Sequence, residues 1–210
     1  MTAVQFISAI LIGYLFGCFQ TSYFISRKFG KNDIREMGTG NAGASNVTSE
    51  MGWKFGILTG ICDVLKAFIP AKLILLIFPG SFQQVELMTI AGMGAVLGHI
   101  YPFFMNFRGG KGIACYIGML LAIDCRIGIA AIIMLIILTI ITDYISIGSI
   151  LLYLTVPILA YFKGDYPNIV IGCTLILLIV GLIKHWINVQ RIMNGTEKGL
   201  RSVLRKDKKI

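Results

Sequence analysis

Long apolar runs separated by short polar stretches make up most of this chain. Runs at 4–25, 55–78, 86–104, 144–162 and 168–185 each approach the ~20 residues that carry a helix across about 30 Å of hydrocarbon. The second run is interrupted by Asp63, Lys66 and Lys72. A further run, 112–141, holds Asp124, Cys125 and Arg126 in its middle. As one helix it would be about 45 Å long; split at those residues, its first piece would have about 12 residues and reach roughly 18 Å.

The basic residues decide between these options. Arg27, Lys28, Lys31, Arg35 and Lys54 follow the first run, Arg108 and Lys111 follow the third, and Lys184, Arg191, Lys198, Arg201 and a run at 205–209 form the tail. Residues 79–85 hold no Lys or Arg. The positive-inside rule places the three basic regions in the cytoplasm and the N-terminus outside. Counting 112–141 as one crossing strands the tail outside; counting it as two brings it back. The pattern therefore predicts an all-α polytopic membrane protein, a bundle of about seven segments with the fourth short, tilted or re-entrant. The N-terminus lacks the basic leader of a cleaved signal peptide, and its apolar run continues into Arg27 and Lys28. Residues 201–210 read as a juxtamembrane anchor for anionic lipid.

Composition agrees with this reading. Of 210 residues, 56% are hydrophobic and 14% charged, against about 25% charged in ordinary soluble domains. That excludes a conventional cytosolic enzyme and a disordered chain. The net charge of +9 does not point to nucleic acid, because apolar runs rather than basic stripes dominate. The five cysteines show no CxxC or zinc spacing and read as small buried hydrophobes.

Three polar constellations fall on the predicted cytoplasmic side. The first, 38–46, runs Gly38, Thr39, Gly40, Asn41, Ala42, Gly43, Ala44, Ser45, Asn46, with Arg35 just before it. Its glycines and small hydroxyls suit a backbone nest for an anion, with Arg35 as countercharge; a flexible linker is the plainer account. The second comprises Gly98, His99 and Pro102, then Phe107, Arg108, Gly109, Gly110, Lys111 and Gly112. Lys111 opens an apolar helix, where free N–H groups favour an anion; a basic interfacial loop explains the composition equally well. The third has His185, Asn188 and Arg191 on one slowly rotating helix face, then Gly195, Thr196 and Glu197. It could hold phosphate and handle a proton, or be a helix end with snorkelling basic residues. Asp63 and Lys66 lie one helical turn apart inside a span. They read as a mutual pair or as a support for a glycine-rich loop.

Together the three constellations resemble the bacterial acyl-phosphate:glycerol-3-phosphate acyltransferases of the PlsY type. The resemblance covers nearly the whole chain, with the motifs in order at 38–46, 107–114 and 185–197, and Asp63 and Lys66 also match. Thr39 stands where the family usually has Ser, Ser45 where it has Thr, and Cys115 where it has Thr. Cys18 and Gln20 replace a Ser and Pro region of the first span. The resemblance implies one integral-membrane acyltransferase domain over 1–210. It implies transfer of a fatty acyl group from acyl phosphate to the 1-hydroxyl of glycerol 3-phosphate, giving lysophosphatidate and phosphate, the first acylation of bacterial phospholipid synthesis.

Read through that resemblance, Lys111, His185, Asn188 and Thr39 are the expected catalytic residues. Arg35, Gly40, Asn41, Ser45, Asn46, Arg108, Gly109, Gly110, Gly112, Arg191 and Glu197 are the expected substrate contacts. Lys111 and the backbone of Gly109, Gly110 and Gly112 would take acyl phosphate, and Arg35, Thr39, Asn41 and Asn46 glycerol 3-phosphate. His185 and Asn188 would converge from the last helix, and Glu197 would orient a basic residue or a loop. No metal and no cofactor is expected. The expected partners are the two substrates, membrane lipid and an enzyme that makes acyl phosphate, at the cytoplasmic membrane. The acyltransferase His with Asp five positions on is absent, since Phe104 follows His99 and Gln190 follows His185 at that spacing. A substrate phosphate then accepts the hydroxyl proton, with a His185 base as the other route. The rival readings are a transporter of a phosphate-containing metabolite and an inactive regulatory paralogue.

Overall fold

The computed structural model describes residues 1–207, and all regular structure among them is helical. Helices α1 (Ala3–Cys18), α2 (Thr21–Ile25), α3 (Ala44–Met51), α4 (Trp53–Ile77), α5 (Gln84–Ile100) and α6 (Ile113–Ile123) are followed by α7 (Cys125–Thr142), α8 (Ile145–Lys163), α9 (Asn168–Met193) and α10 (Leu200–Asp207). Among the described residues, five stretches are long and apolar enough to cross a membrane: Ala3–Gly30, Gln84–Met105, Cys125–Thr142, Ile145–Lys163 and Asn168–Met193. Helix α4 has 25 residues but carries Lys54, Asp63, Lys66 and Lys72. The run 112–141 divides at Asp124, whose backbone is extended and whose carboxylate accepts the Arg126 N–H at 2.8 Å. Its first piece, α6, has 11 residues.

The chain forms two compact units, Met1–Gly128 and Ile129–Ile210. In the first, α5 is the central helix: 78% of its span is buried, against 28% for the first span. Leu87, Ile90, Ala91, Ala95, Val96 and Ile100 have no exposed surface. Two glycine pairs seat α1 on α5. A Cβ at Gly13 or Gly17 would meet the backbone of Ala91 or Ala95, and one at Gly94 or Gly98 would meet that of Ile10 or Tyr14. Glycines four apart on both helices therefore let the backbones touch, the arrangement that replaces hydrophobic driving force between helices in lipid. Gly118 does the same for α6 against Val64 of α4.

The first span is not one continuous helix. It breaks at Phe19 and Gln20, continues as α2 and ends in a π-helical turn, Ser26–Gly30. No proline causes the break. Gln20 Nε2 donates to Gly17 O at 3.2 Å and Lys66 Nζ to Phe19 O at 2.7 Å, so side chains satisfy carbonyls that the interrupted ladder leaves open. Gln20, Thr21, Ser22 and Ser26 are all buried.

In the second unit α8 packs on α9, with Gly181 of α9 against the ring of Tyr153. Helix α7 leaves Ile129, Ile133, Ile136, Ile137 and Ile140 exposed, as a hydrocarbon-facing helix does. The α10 backbone is pinned by Asp143, whose carbonyl accepts Leu200 N–H at 2.7 Å and whose carboxylate accepts Arg201 N–H at 2.8 Å. Lys208 and Lys209 of the expected lipid anchor lie outside the described residues. The cysteine reading needs correction at two positions: Cys18, Cys115 and Cys173 are buried, but Cys62 is half-buried and Cys125, which begins α7 at the break, is exposed.

Candidate active site

Two of the three constellations come together in the first unit. The loop 37–43 joins a 3-10 turn, Ile34–Glu36, to α3. It turns through Gly38 and Gly40, both at positive φ, which glycine adopts without a Cβ penalty. Asn46 holds it from inside: Oδ1 accepts Thr39 N–H at 2.9 Å, and Nδ2 donates to Ile34 O at 3.3 Å and Met37 O at 2.9 Å. The buried Asn46 amide is therefore a brace for the loop, a different part from the substrate contact expected of it. Ser22 Oγ donates to Ala42 O at 2.9 Å from the far side. Thr39 and Ser45 are exposed, Gly40 and Asn41 half-buried. Gly43 opens α3 with no side-chain cap, and the Asn46 and Val47 N–H groups donate to its carbonyl at 3.1 and 3.2 Å.

Arg35 links this loop to the second. Its Nε and Nη2 contact both oxygens of Asp33 at 2.7–3.2 Å, and Nη1 donates to Met105 O at 2.9 Å. The Arg35 hydrogen bonds hold the Asp33 carboxyl below the ordinary aspartate range, and the same bonds raise the Arg35 guanidinium. A guanidinium has five N–H groups, so these contacts aim Arg35 without exhausting it. Both loops share a small core of Ile34, Ala42, Val47 and Met105, edged by Tyr23, Met37, Met51 and Phe55. The Tyr23 ring lies under both Arg27 and Arg35. Asp33 and Tyr23 were not singled out from sequence; an acid two residues before Arg35 was the available signal.

The second loop corrects one expectation. Gly109 N–H donates to Ile100 O and Gly110 N–H to His99 O, both at 3.1 Å. These bonds cap the C-terminus of α5, whose last carbonyls need donors. The two N–H groups are spent and cannot cradle a phosphate. The glycines are required for another reason: a Cβ at Gly109 would meet His99 O, and one at Gly110 the His99 ring. Asn106 and Phe107, both at positive φ, complete the turn. Gly112, at φ 84°, then starts α6 directly after the half-buried Lys111. Lys111 thus stands at the N-terminal turn of α6, which has no side-chain cap. Arg108 is exposed.

Below the loop, Lys66 Nζ lies 2.9 Å from Asp63 Oδ1, and His99 Nδ1 lies 3.6 Å from the same oxygen. The donor atoms of Asp63, His99 and Cys115 lie within 4.8 Å of one another, a cluster the sequence reading did not identify. The Lys66 ammonium already supplies positive charge to this carboxylate, so the donor set does not call for a metal ion.

The third constellation lies in the second unit. His185 and Asn188 are buried on α9 and Arg191 is half-buried. His185 Nδ1 donates to Gly181 O at 2.8 Å, which leaves the lone pair of the neutral ring on Nε2. After α9 the chain reverses at Gly195, and Thr196 and Glu197 N–H groups return to Arg191 O at 2.8 and 3.2 Å. That turn brings Glu197 Oε1 to accept from Asn188 Nδ2 and from Ser146 Oγ at 3.5 Å. Glu197 therefore orients Asn188, an amide rather than a basic residue. Ser146 is a partner that sequence reading missed.

The family model described as glycerol-3-phosphate acyltransferase matches residues 7–195. Glycerol-3-phosphate acyltransferase 1 of Oceanobacillus iheyensis is 36% identical over 209 residues, covering 97% of this chain and 99% of its own. The glycerol-3-phosphate acyltransferase of Syntrophotalea carbinolica is 35% identical over 198 residues, covering 94% and 99%. The crystal structure of PlsY, an integral membrane glycerol 3-phosphate acyltransferase, in its glycerol 3-phosphate form matches with a TM-score of 0.83 at 29% identity, covering 93% of this chain and 95% of that one. Its lysophosphatidic acid form matches with a TM-score of 0.78 at the same identity.

Proposed function

The chain belongs to the glycerol-3-phosphate acyltransferase family and is an acyltransferase of phospholipid synthesis; from that premise we propose that it acylates the 1-hydroxyl of glycerol 3-phosphate with acyl phosphate as donor. The hydroxyl oxygen attacks the acyl carbon, the carbon–oxygen bond to phosphate breaks, and phosphate leaves with the electron pair. The hydroxyl proton passes to a substrate phosphate. The products are lysophosphatidate and inorganic phosphate, and no acyl-enzyme forms, because the donor is already activated.

One observation carries this reading. Arg35 and the first loop are joined to the approach of the second loop at Met105 O, above a shared apolar core. This link between two stretches read as anion-binding supports a reaction between two phosphate-bearing substrates, one with a fatty tail. Lys111 and the first turn of α6 take the donor phosphate. Arg35, Thr39, Gly40, Asn41 and Ser45 take glycerol 3-phosphate. The family resemblance assigns His185, Asn188 and Arg191 to the same reaction, and Glu197 holds Asn188. The whole chain acts as one domain with about seven membrane segments, α4 and α6 joining the five apolar spans, and the basic loops and tail lie on the cytoplasmic side of the bacterial plasma membrane.

Purified protein in detergent, given acyl phosphate and glycerol 3-phosphate, should form lysophosphatidate and phosphate in equal amounts, and Lys111→Ala and Arg35→Ala should each lower the rate sharply while the protein stays folded. No turnover with any acyl chain length removes the donor assignment; near-normal rates in both variants remove the site assignment.

A further inference from the structure

The second loop rests on His99. Gly110 N–H donates to the His99 carbonyl at 3.1 Å, and a Cβ at Gly110 would meet the His99 ring. His99 is itself tied down by residues far away in sequence. Gln20 Nε2 donates to the same carbonyl at 3.1 Å. His99 Nδ1 faces Asp63 Oδ1 at 3.6 Å, Asp63 pairs with Lys66 at 2.9 Å, and Lys66 Nζ reaches Phe19 O at 2.7 Å. Gln20, Asp63, Lys66 and His99 are 0%, 2%, 6% and 3% exposed.

Stability alone is a poor reason for this cluster. A buried ion pair is often replaced by apolar residues of similar size at no loss of stability, and three of these four side chains sit in apolar helices. What they touch is more telling. The ties run from the break between α1 and α2 to the His99 ring and to the carbonyl under Gly110. The residues just past the break reach the other loop, through Ser22 Oγ to Ala42 O. One short segment, Phe19 to Ser22, thus fixes both loops, and the Asp63–Lys66 pair fixes that segment and the His99 ring together.

We infer that Gln20, Asp63, Lys66 and His99 are positioning residues: they set the height of the Gly109–Gly110 turn, and so the place of Lys111, relative to the first loop. This rests on the assignment of a substrate phosphate to Lys111. The cluster touches no substrate and acts through the turn. It also gives Gln20, which departs from the family pattern, a defined part: its amide makes the tie to His99 O.

The test is steady-state kinetics with each substrate varied in turn, beside thermal unfolding, on purified protein in detergent. Three variants are compared: Lys111→Ala, Gln20→Leu, and the double variant Asp63→Asn with Lys66→Met, which leaves neither charge unpaired. Lys111→Ala should raise the KM of the phosphate substrate it holds. Gln20→Leu and the double variant should raise that same KM about tenfold and leave the other within about twofold, with melting within a few degrees of wild type. If Lys111→Ala changes neither KM, the assignment of Lys111 falls and the inference falls with it. If Lys111→Ala raises a KM while the other variants shift only melting, or raise both KM values equally, the inference alone is overturned. Should the double variant fail to fold, Gln20→Leu carries the same test.

Discussion

Replacing Gly109 by Ala adds one methyl group where the structure has no room for it. The new Cβ would meet the His99 carbonyl oxygen, Pro102 Cδ at 2.7 Å and the His99 carbonyl carbon at 3.0 Å. Neither neighbour can yield cheaply. The His99 carbonyl accepts from both Gly110 N–H and Gln20 Nε2, and Pro102 is a ring whose carbonyl accepts the Phe107 and Met105 N–H groups. Overpacking costs about 1–3 kcal/mol, and losing two hydrogen bonds adds about 0.5–1.5 kcal/mol each. Lifting the turn away from α5 relieves the overpacking but gives up the Gly109 and Gly110 bonds to α5, about 1–3 kcal/mol in all, and it displaces Lys111 two residues on. A displacement of about 1 Å in a positioning group lowers a rate on the order of a hundredfold. Gly172→Ala is the matched control, because nothing lies within 4 Å of a Cβ there. Initial rates of lysophosphatidate formation, with thermal melting of each variant, decide the matter. Gly109→Ala should keep the helical fold and lose about a hundredfold in kcat/KM, with Gly172→Ala unchanged. A Gly109→Ala enzyme with wild-type kinetics would refute the packing of the turn against His99.

Further outcomes follow from other contacts. The lowered Asp33 carboxyl contributes stability that is complete above the ordinary aspartate range near pH ~4 and is lost as the pH falls through its depressed value; Asp33→Asn should flatten the acid limb of an unfolding profile, and an unchanged limb would count against the Arg35 clasp. Gly17→Leu forces α1 off the Ala95 backbone and should destabilise the first unit by about 1–3 kcal/mol or more, seen as a lower melting temperature. Glu197→Gln weakens the charge-assisted bond to Asn188, worth about 1.5–3 kcal/mol, and should lower kcat/KM about tenfold or more without a comparable fall in melting temperature. His185→Asn should leave the rate above about a tenth of wild type, since an obligatory general base contributes about 10²–10⁴-fold; a loss in that range, together with a lost pH dependence of kcat/KM, would make His185 the base.

Much of this was readable along the chain. The apolar spans, the split of 112–141 at Asp124 and the three constellations are local properties of composition and spacing. What escaped depends on distant partners. Gln20 and His99 meet across 79 positions, and Arg35 and Met105 across 70; a side chain bonding to a remote carbonyl leaves no periodicity behind. Gly109 and Gly110 read as a phosphate nest because a glycine-rich loop has the same composition whether its N–H groups face a ligand or cap a helix. Asn46 reads as a ligand contact because its amide is equally able to hold its own loop. The break at Gln20 lacks the proline that would have marked it, since Lys66, on another helix, satisfies the opened carbonyl. The glycines at 13, 17, 94 and 98 carried a helix-packing signal at their four-residue spacing, but the partner helix becomes evident only in three dimensions.

The central claim is acyl transfer from acyl phosphate to glycerol 3-phosphate by attack on the acyl carbon. Its sharpest test is mass spectrometry of both products formed from a donor carrying heavy oxygen in the carbon–oxygen–phosphorus bridge. Attack on the acyl carbon sends all the label into phosphate and none into lysophosphatidate. Label in the lipid, or fatty acid and phosphate released without any lysophosphatidate, would contradict it.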